Sequence, residues 1–219
     1  MSLSFRPAVA ADAEAAAPLI HASGPEQFDY VFCATHAGQA LEFLRHAFAT
    51  GHGRFAWRNH TVAIVDDRVV GIGNSYGADS NLRFFFEDGW LITRYYGARA
   101  PGVMIRGLRA ESIIVPPKGG EWMIAHLAMQ PDQRGHGIGA RMIYQLMELG
   151  RRAGKTDAVL DVSVENPRAE ALYRRVGFKT TVERKSTMTN DFGRIMNHRR
   201  MALAILPTPD SPTPRSSGR

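Results

Sequence analysis

Apolar and polar positions change period several times along the chain, and each change marks an expected element. Leu3–Pro7 reads as a short strand, and Asp12 precedes an alanine-rich run ending near Ile20, a first helix with a carboxylate at its cap. Over 38–50, Leu41, Leu44 and Phe48 recur at helical spacing and predict a second helix. The period then drops: VAIV at 62–65 and VVGIG at 69–73 are β-rich runs joined by the polar turn DDR, which predicts a hairpin. WMIAHLAM at 122–129 reads as a buried strand and AVLDVSV at 158–164 as another. Between them, 138–150 is an amphipathic helix with Ile138, Met142, Leu146 and Leu149 on one side. Two strands flanking one helix form a βαβ unit, so these two strands should run parallel. Asn166 and Pro167 suit the cap and first position of a short helix that Gly177 ends. Strands are expected at 178–187 and 195–206, and the proline- and serine-rich 207–219 as a disordered tail.

Helices interleaved with strands give an α/β class, read as one domain over 1–206, because 219 residues with 44% hydrophobic content bury one core but not two full-sized ones. Cys33 is the single cysteine, which excludes an internal disulfide framework and offers no metal-ligand spacing, so a reducing, cytoplasmic setting without a metal is expected. The opening MSLSFRPAVAADAEAAAPLI has no basic segment followed by an unbroken apolar core, and no membrane-spanning run is present, so a soluble protein is expected. The formal net charge of +6 invites a nucleic-acid partner, but basic residues are spread along the chain with acids between them. Ordinary solvated faces are the better reading, nucleic acid is not expected, and a modest positive field suits an anionic cofactor.

QPDQRGHGIGARM at 130–142 joins the buried strand to the amphipathic helix. First-turn amides at such a junction lack intrahelical acceptors and point outward together, reinforced by the helix dipole. Gly135, Gly137 and Gly139 let an anion approach bare backbone, with Arg134 at its edge. A P-loop is excluded because no lysine and hydroxyl follow the glycines, and a dinucleotide fingerprint is weak because the third glycine comes one position early.

The spacing resembles the R/Q-x-x-G-x-G/A motif of the GNAT N-acetyltransferase superfamily, read as Arg134, Gly137 and Gly139. FRPAVAADA resembles that family's first strand and helix start, VAIVDDRVVGIG its second and third strands, HLAMQP the end of its fourth, and NPRAEALYRRVGF its N-x-x-A-x-x-L-Y-x-x-x-G-F. The resemblance covers most of the chain, and residues 77–118 depart from it. It implies a mixed, curved sheet with helices on both faces, splayed between the fourth and fifth strands. It also implies acetyl-CoA as cosubstrate, its pantetheine arm along Leu127, Ala128 and Met129 and its pyrophosphate on the amides of Arg134, Gly135, His136, Gly137, Ile138 and Gly139, with Asn166 also facing it.

Acyl transfer to an amine needs a neutral nucleophile and a proton for the leaving thiolate. A phenol of pKa about 10 keeps its proton at neutral pH, which suits Tyr173 to the second task as general acid, and the resemblance places it there. Asn166 and Tyr173, seven residues apart, can face one side of their helix, although Asn166 also fits a simple cap. For the base, His126 has the most suitable ordinary pKa, Glu121 can drain protons through water, and Glu111 lies upstream. A bulge in the strand would decide which way His126 points.

Residues 77–118 place six aromatics between Phe84 and Tyr96, out of twenty in the chain, which line an acceptor pocket or pack a helix onto the sheet or onto a second copy in a homodimer. Packing is the reading favoured. The acceptor expected is a primary amine of a small molecule or peptide; the alternative is a non-catalytic acyl-CoA-binding regulatory module.

Overall fold

A computed structural model describes residues 2–205. The expected tail at 207–219 lies outside the described residues. Strands β1 (Leu3–Pro7), β2 (His60–Val65), β3 (Arg68–Gly77) and β4 (Glu121–Met129) are successive antiparallel neighbours. β5 (Asp157–Ser163) runs parallel to β4, and β6 (Lys179–Arg184) and β7 (His198–Ala204) complete one mixed sheet in the order β1-β2-β3-β4-β5-β7-β6. The hairpin turn is Asp66-Asp67, both at positive φ (47° and 60°), a conformation aspartate tolerates and one that matches the twist of the flanking strands.

Helices cover both faces. On one lie α1 (Ala13–Ala22), α2 (Pro25–Phe32), α3 (Gln39–Thr50), α4 (Asn81–Tyr96) and α5 (Ala100–Ala110), around Phe28, Phe43, Phe48, Ile72 and Leu91. On the other, α6 (Ile138–Arg152) and α7 (Pro167–Val176) bury Ile138, Met142, Ile143, Leu146 and Tyr173 against Leu160 and Met201. No helix among the described residues is long and apolar enough to cross a membrane.

Some elements differ from their sequence signals. Helix α2 falls between the turn-like Ser23-Gly24-Pro25 and Cys33, too short to show a period, yet it buries Phe28, Tyr30, Val31 and Phe32. Asp12 makes no cap hydrogen bond; its carboxylate accepts from both Arg6 Nη atoms at 2.7 and 2.8 Å and from the Val9 amide at 2.8 Å, tying β1 to α1. Those bonds, Arg6 first, hold it below the usual carboxylate range. Leu149 is 42% exposed. The buried stripe of α6 drifts to Ile143 and ends at Gly150, where any Cβ would lie 2.6 Å from the Trp122 ring. Trp122 Nε1 donates to the Leu146 carbonyl at 2.9 Å, which fixes that contact.

Segment 77–118 forms the α4–α5 pair. Phe84 and Tyr96 are core, and the Tyr96 hydroxyl donates to the Phe32 carbonyl at 2.6 Å, whereas Phe85, Phe86 and Trp90 are exposed. The segment leading into β4 is held by Arg200, which donates to the Val115 carbonyl and, through Nη2, to Asp161 at 2.6 Å. The side chains of Arg200 and Asp161 are 6% and 3% exposed. Removing Asp161 leaves the buried Arg200 with only the longer 3.6 Å pair to Glu121, so Asp161→Ala should lower unfolding free energy in urea by about 2–3 kcal/mol. Arg152→Ala, which breaks the surface pair with Glu148, should leave the urea midpoint unchanged.

Candidate active site

β4 and β5 pair at Glu121↔Asp157, Trp122↔Ala158 and Met123↔Val159 and then part. From Ile124 onward, the edge of β4 that faced β5 has no strand partner, so its backbone groups line a wedge between the two strands. Leu127, Ala128 and Met129 lie on that stretch.

Across β4 the register with β3 slips: Ile72 faces Ala128 while Asn74 faces Ala125, leaving His126 and Leu127 opposite Gly73. This is a β-bulge, with His126 at φ 52°. A Cβ on Gly73 would sit 2.7 Å from Leu146 Cδ1, so the bulge packs directly beneath α6. Ile124 and Leu127 belong to the core on the α6 side. Strict alternation from Ile124 would send His126 there too, but the bulge turns it to the opposite face, stacked on Phe55 at 5.2 Å and edge-on to Phe28 at 5.9 Å.

There His126 meets His60, a residue the sequence did not single out. His60 Nδ1 is 2.8 Å from the Ala56 carbonyl, which accepts only, so Nδ1 carries the proton and Nε2 a lone pair. That lone pair, 3.1 Å from His126 Nδ1, fixes a proton on Nδ1 and leaves the His126 Nε2 lone pair free. Nε2 has no hydrogen-bond partner among the described residues, and His126 is half-buried. Burial first, then the neighbouring His60 and Arg54, pushes His126 well below the ordinary imidazole value; burial pushes His60 down to about 4. Both rings are therefore neutral at pH 7.

A stability consequence follows. The unfolded chain takes up protons on these imidazoles near pH 6.5 and the folded chain does not, so their contribution is intact above that pH and declines as pH falls. Between pH 6.5 and 4, His60 alone should cost about 3 kcal/mol, measured as a falling urea midpoint, and His60→Phe should flatten that slope.

Beyond β4, a short turn at Pro131–Gln133 leads to Gly135 and Gly137, at φ 87° and 76°. Gly137 caps α6, whose first turn carries no acidic side chain. A Cβ at Gly135 or Gly137 would meet nothing within 4 Å, so the space above both is open. The first helical bond beyond the cap runs from the Arg141 amide to the Gly137 carbonyl, which leaves the amides of Ile138 and Gly139 outward and unpaired by the helix. Arg134 and His136 are exposed at the rim, and Arg134 Nε reaches the Met129 carbonyl at 3.3 Å, tying the turn to the strand end. Gly139 has a packing reason: its Cβ would lie 3.2 Å from Leu172 Cδ2, where α7 crosses α6.

Asn166 caps α7, its Oδ1 accepting from the Ala169 amide at 3.1 Å. Tyr173 belongs to the same core cluster as Leu127, Met129 and Ile138, on the α6 side of the sheet. Its ring is 6.3 Å from Phe178, and its hydroxyl has no hydrogen-bond partner among the described residues. Burial pushes the phenol up to about 12. Glu121 sits at the closed end of the wedge, accepting from the Lys118 amide at 2.9 Å and lying 3.6 Å from Arg200. It is five residues along β4 from His126, and Glu111 instead binds Arg54 at 2.7 Å.

The profile of the acetyltransferase (GNAT) family matches residues 32–178, from the end of α2 through the glycine turn to the residue after α7's cap. Rat N-acetyltransferase 8B is 26% identical over 126 residues, 57% of this chain and 52% of that protein, so the chain matches about half the relative's length. An N-acetyltransferase from Staphylococcus aureus Mu50 superposes with a TM-score of 0.68 at 18% identity, over 91% of this chain and 100% of its own. A GNAT superfamily phosphinothricin acetyltransferase from Sinorhizobium meliloti, solved in complex with acetyl-CoA, superposes at 0.56 with 19% identity, over 98% and 95% of the two chains. The shared fold, the parted strands and the match over two-thirds of the sequence agree: this chain belongs to the acetyltransferase (GNAT) family.

Proposed function

We propose that this chain is an N-acetyltransferase that moves an acetyl group from acetyl-CoA directly to a primary amine. The observation that carries the reading is the continuity of the wedge with the glycine turn, an unpaired strand edge running into a helix start with open space above its bare amides. These residues fit the cosubstrate. The edge at Leu127, Ala128 and Met129 supplies strand-like donors and acceptors for an amide-bearing arm, and the amides from Gly135 to Gly139 supply a pyrophosphate cradle, the expected Arg134 amide being turned instead to the Pro131 carbonyl at 3.4 Å. Bound there, acetyl-CoA supplies an activated thioester carbonyl.

The chain's own groups then handle protons. An ammonium arriving at the wedge must shed one proton to solvent to become nucleophilic and a second as the C–N bond forms and the C–S bond breaks. His126 Nε2 offers a lone pair for that second proton, and the imidazolium shares its Nδ1 proton with His60. Tyr173, protonated at neutral pH, donates to the departing sulfur and is resupplied from solvent. Amide, thiol and one net proton are the products. Glu121, held by Lys118 and Arg200 away from the bulge, is assigned to structure instead.

The single cysteine, Cys33, leaves no second thiol to pair with and suits a cytoplasmic setting. The test is acetyl-CoA consumption across a panel of amines and N-terminal peptides, with product mass recorded. Free CoA matched by an N-acetylated product supports transfer; tight acetyl-CoA binding with no product from any amine supports a binding module instead.

A further inference from the structure

Beside the wedge, a cavity of about 350 Å³ opens between the end of β3, α4 and the segment after α5. Its inner wall is charged. Arg54 Nε donates to Asp88 Oδ2 and Nη2 to Glu111 Oε1, both at 2.7 Å, and the Arg54 amide donates to Asp88 Oδ1 at 2.9 Å. One cation thus faces two carboxylates, of which the Asp88 carboxyl is pushed up by burial against the opposing pull of Arg54. Glu111 is the more open of the two, 29% exposed against 14% for Asp88, and its second oxygen has no hydrogen-bond partner among the described residues. Tyr76 lines the same cavity, and its hydroxyl likewise has no hydrogen-bond partner among the described residues.

The outer wall is apolar: Leu82 and Phe85 from α4, 69% and 54% exposed, face the cavity with Pro116. All three come from 77–118, the aromatic-rich segment set apart in the sequence. The charged end adjoins the wedge. Asn74, paired with Ala125 beside the bulge, donates to the Arg54 carbonyl at 2.9 Å. Arg54 is close enough to depress His126, and Asp161 on β5 is close enough to help raise Tyr76, whose upward shift comes mainly from burial.

We propose that this cavity is the acceptor pocket and that it selects a cationic amine carried on a compact apolar body of about one aromatic ring. Glu111 and the Tyr76 oxygen receive the ammonium, and Leu82, Phe85 and Pro116 enclose the body. The pocket volume fits a small molecule or one side chain. As an acceptor site, the assignment rests on the acetyltransferase reading above; as an amine site it does not.

The test uses calorimetry with 2-phenylethylamine, 2-phenylethanol and phenylacetate on the full chain, wild type, Glu111→Gln and Phe85→Ala, with acetyl-CoA titrated separately. The amine should bind wild type at least about tenfold more tightly than the alcohol or the carboxylate. Glu111→Gln should weaken the amine about tenfold and leave the alcohol unchanged, whereas Phe85→Ala, at an exposed position, should weaken both. Acetyl-CoA affinity should not move in either variant. In turnover, Glu111→Gln should raise KM for the amine about tenfold with kcat within about twofold. Amine affinity indifferent to both substitutions, or a preference for the carboxylate, overturns the pocket. Amine binding as described without acetyl-CoA binding overturns the acetyltransferase reading and leaves the pocket standing.

Discussion

Gly137→Glu should abolish acetyl-CoA binding: by calorimetry the affinity falls about a hundredfold or more, while Gly137→Asn stays within about tenfold of wild type. Two effects separate here. Gly137 is held at φ 76° at the cap of α6, where glutamate carries about 1–2 kcal/mol of left-handed strain and asparagine less, a cost to folding that is present with or without the cosubstrate. The open space above its backbone would then hold a carboxylate where a pyrophosphate is expected, a like-charge contact worth on the order of 3 kcal/mol at the dielectric of a protein surface. A loss that is equal for Gly137→Asn would mean that helix capping, and not the anion site, is at stake. Unchanged affinity in the glutamate variant would remove the cradle from the account.

Tyr173→Phe should lower kcat by about 10²-fold while acetyl-CoA affinity stays within about twofold. The ring remains to fill the core between α6, α7 and Phe178, so packing is preserved. The hydroxyl makes no hydrogen bond among the described residues, so its removal should leave the thermal midpoint unchanged or slightly higher. That combination separates a proton donor from a structural tyrosine. A variant with wild-type kcat would show that the leaving sulfur takes its proton elsewhere.

Much of this arrangement was legible because its signals are local. The βαβ unit, the glycine turn and the Asn166-Pro167 helix start each lie within one short window, where period, cap and turn chemistry act on adjacent residues. The hairpin was readable for the same reason, down to its aspartate turn. What escaped is set by contacts between distant residues. The direction of His126 depends on a bulge opposite Gly73, on another strand, and its tautomer on His60, 66 positions away. The Arg54 cluster joins residues 34 and 57 positions apart, so no window contains it, and Glu111 seen alone resembles a stray carboxylate. Asn166 carried two readings in the sequence; its side chain caps α7 in the structure. The aromatics of 77–118 read in sequence as pocket lining or, with preference, as packing; helical geometry divides them, with Phe84 and Tyr96 turned to the core and Phe85, Phe86 and Trp90 outward.

In the function proposed above, one continuous surface, the parted edge of β4 and the start of α6, holds acetyl-CoA with its thioester beneath Tyr173. A crystal structure of the chain grown with acetyl-CoA tests it most directly. The account predicts pyrophosphate oxygens on the amides from Gly135 to Gly139, the arm along Leu127 to Met129, and the Tyr173 hydroxyl within hydrogen-bond reach of sulfur, about 3.5 Å. A cosubstrate bound away from the glycine turn would contradict the cradle, and one bound there with the Tyr173 hydroxyl remote from sulfur would contradict catalysis.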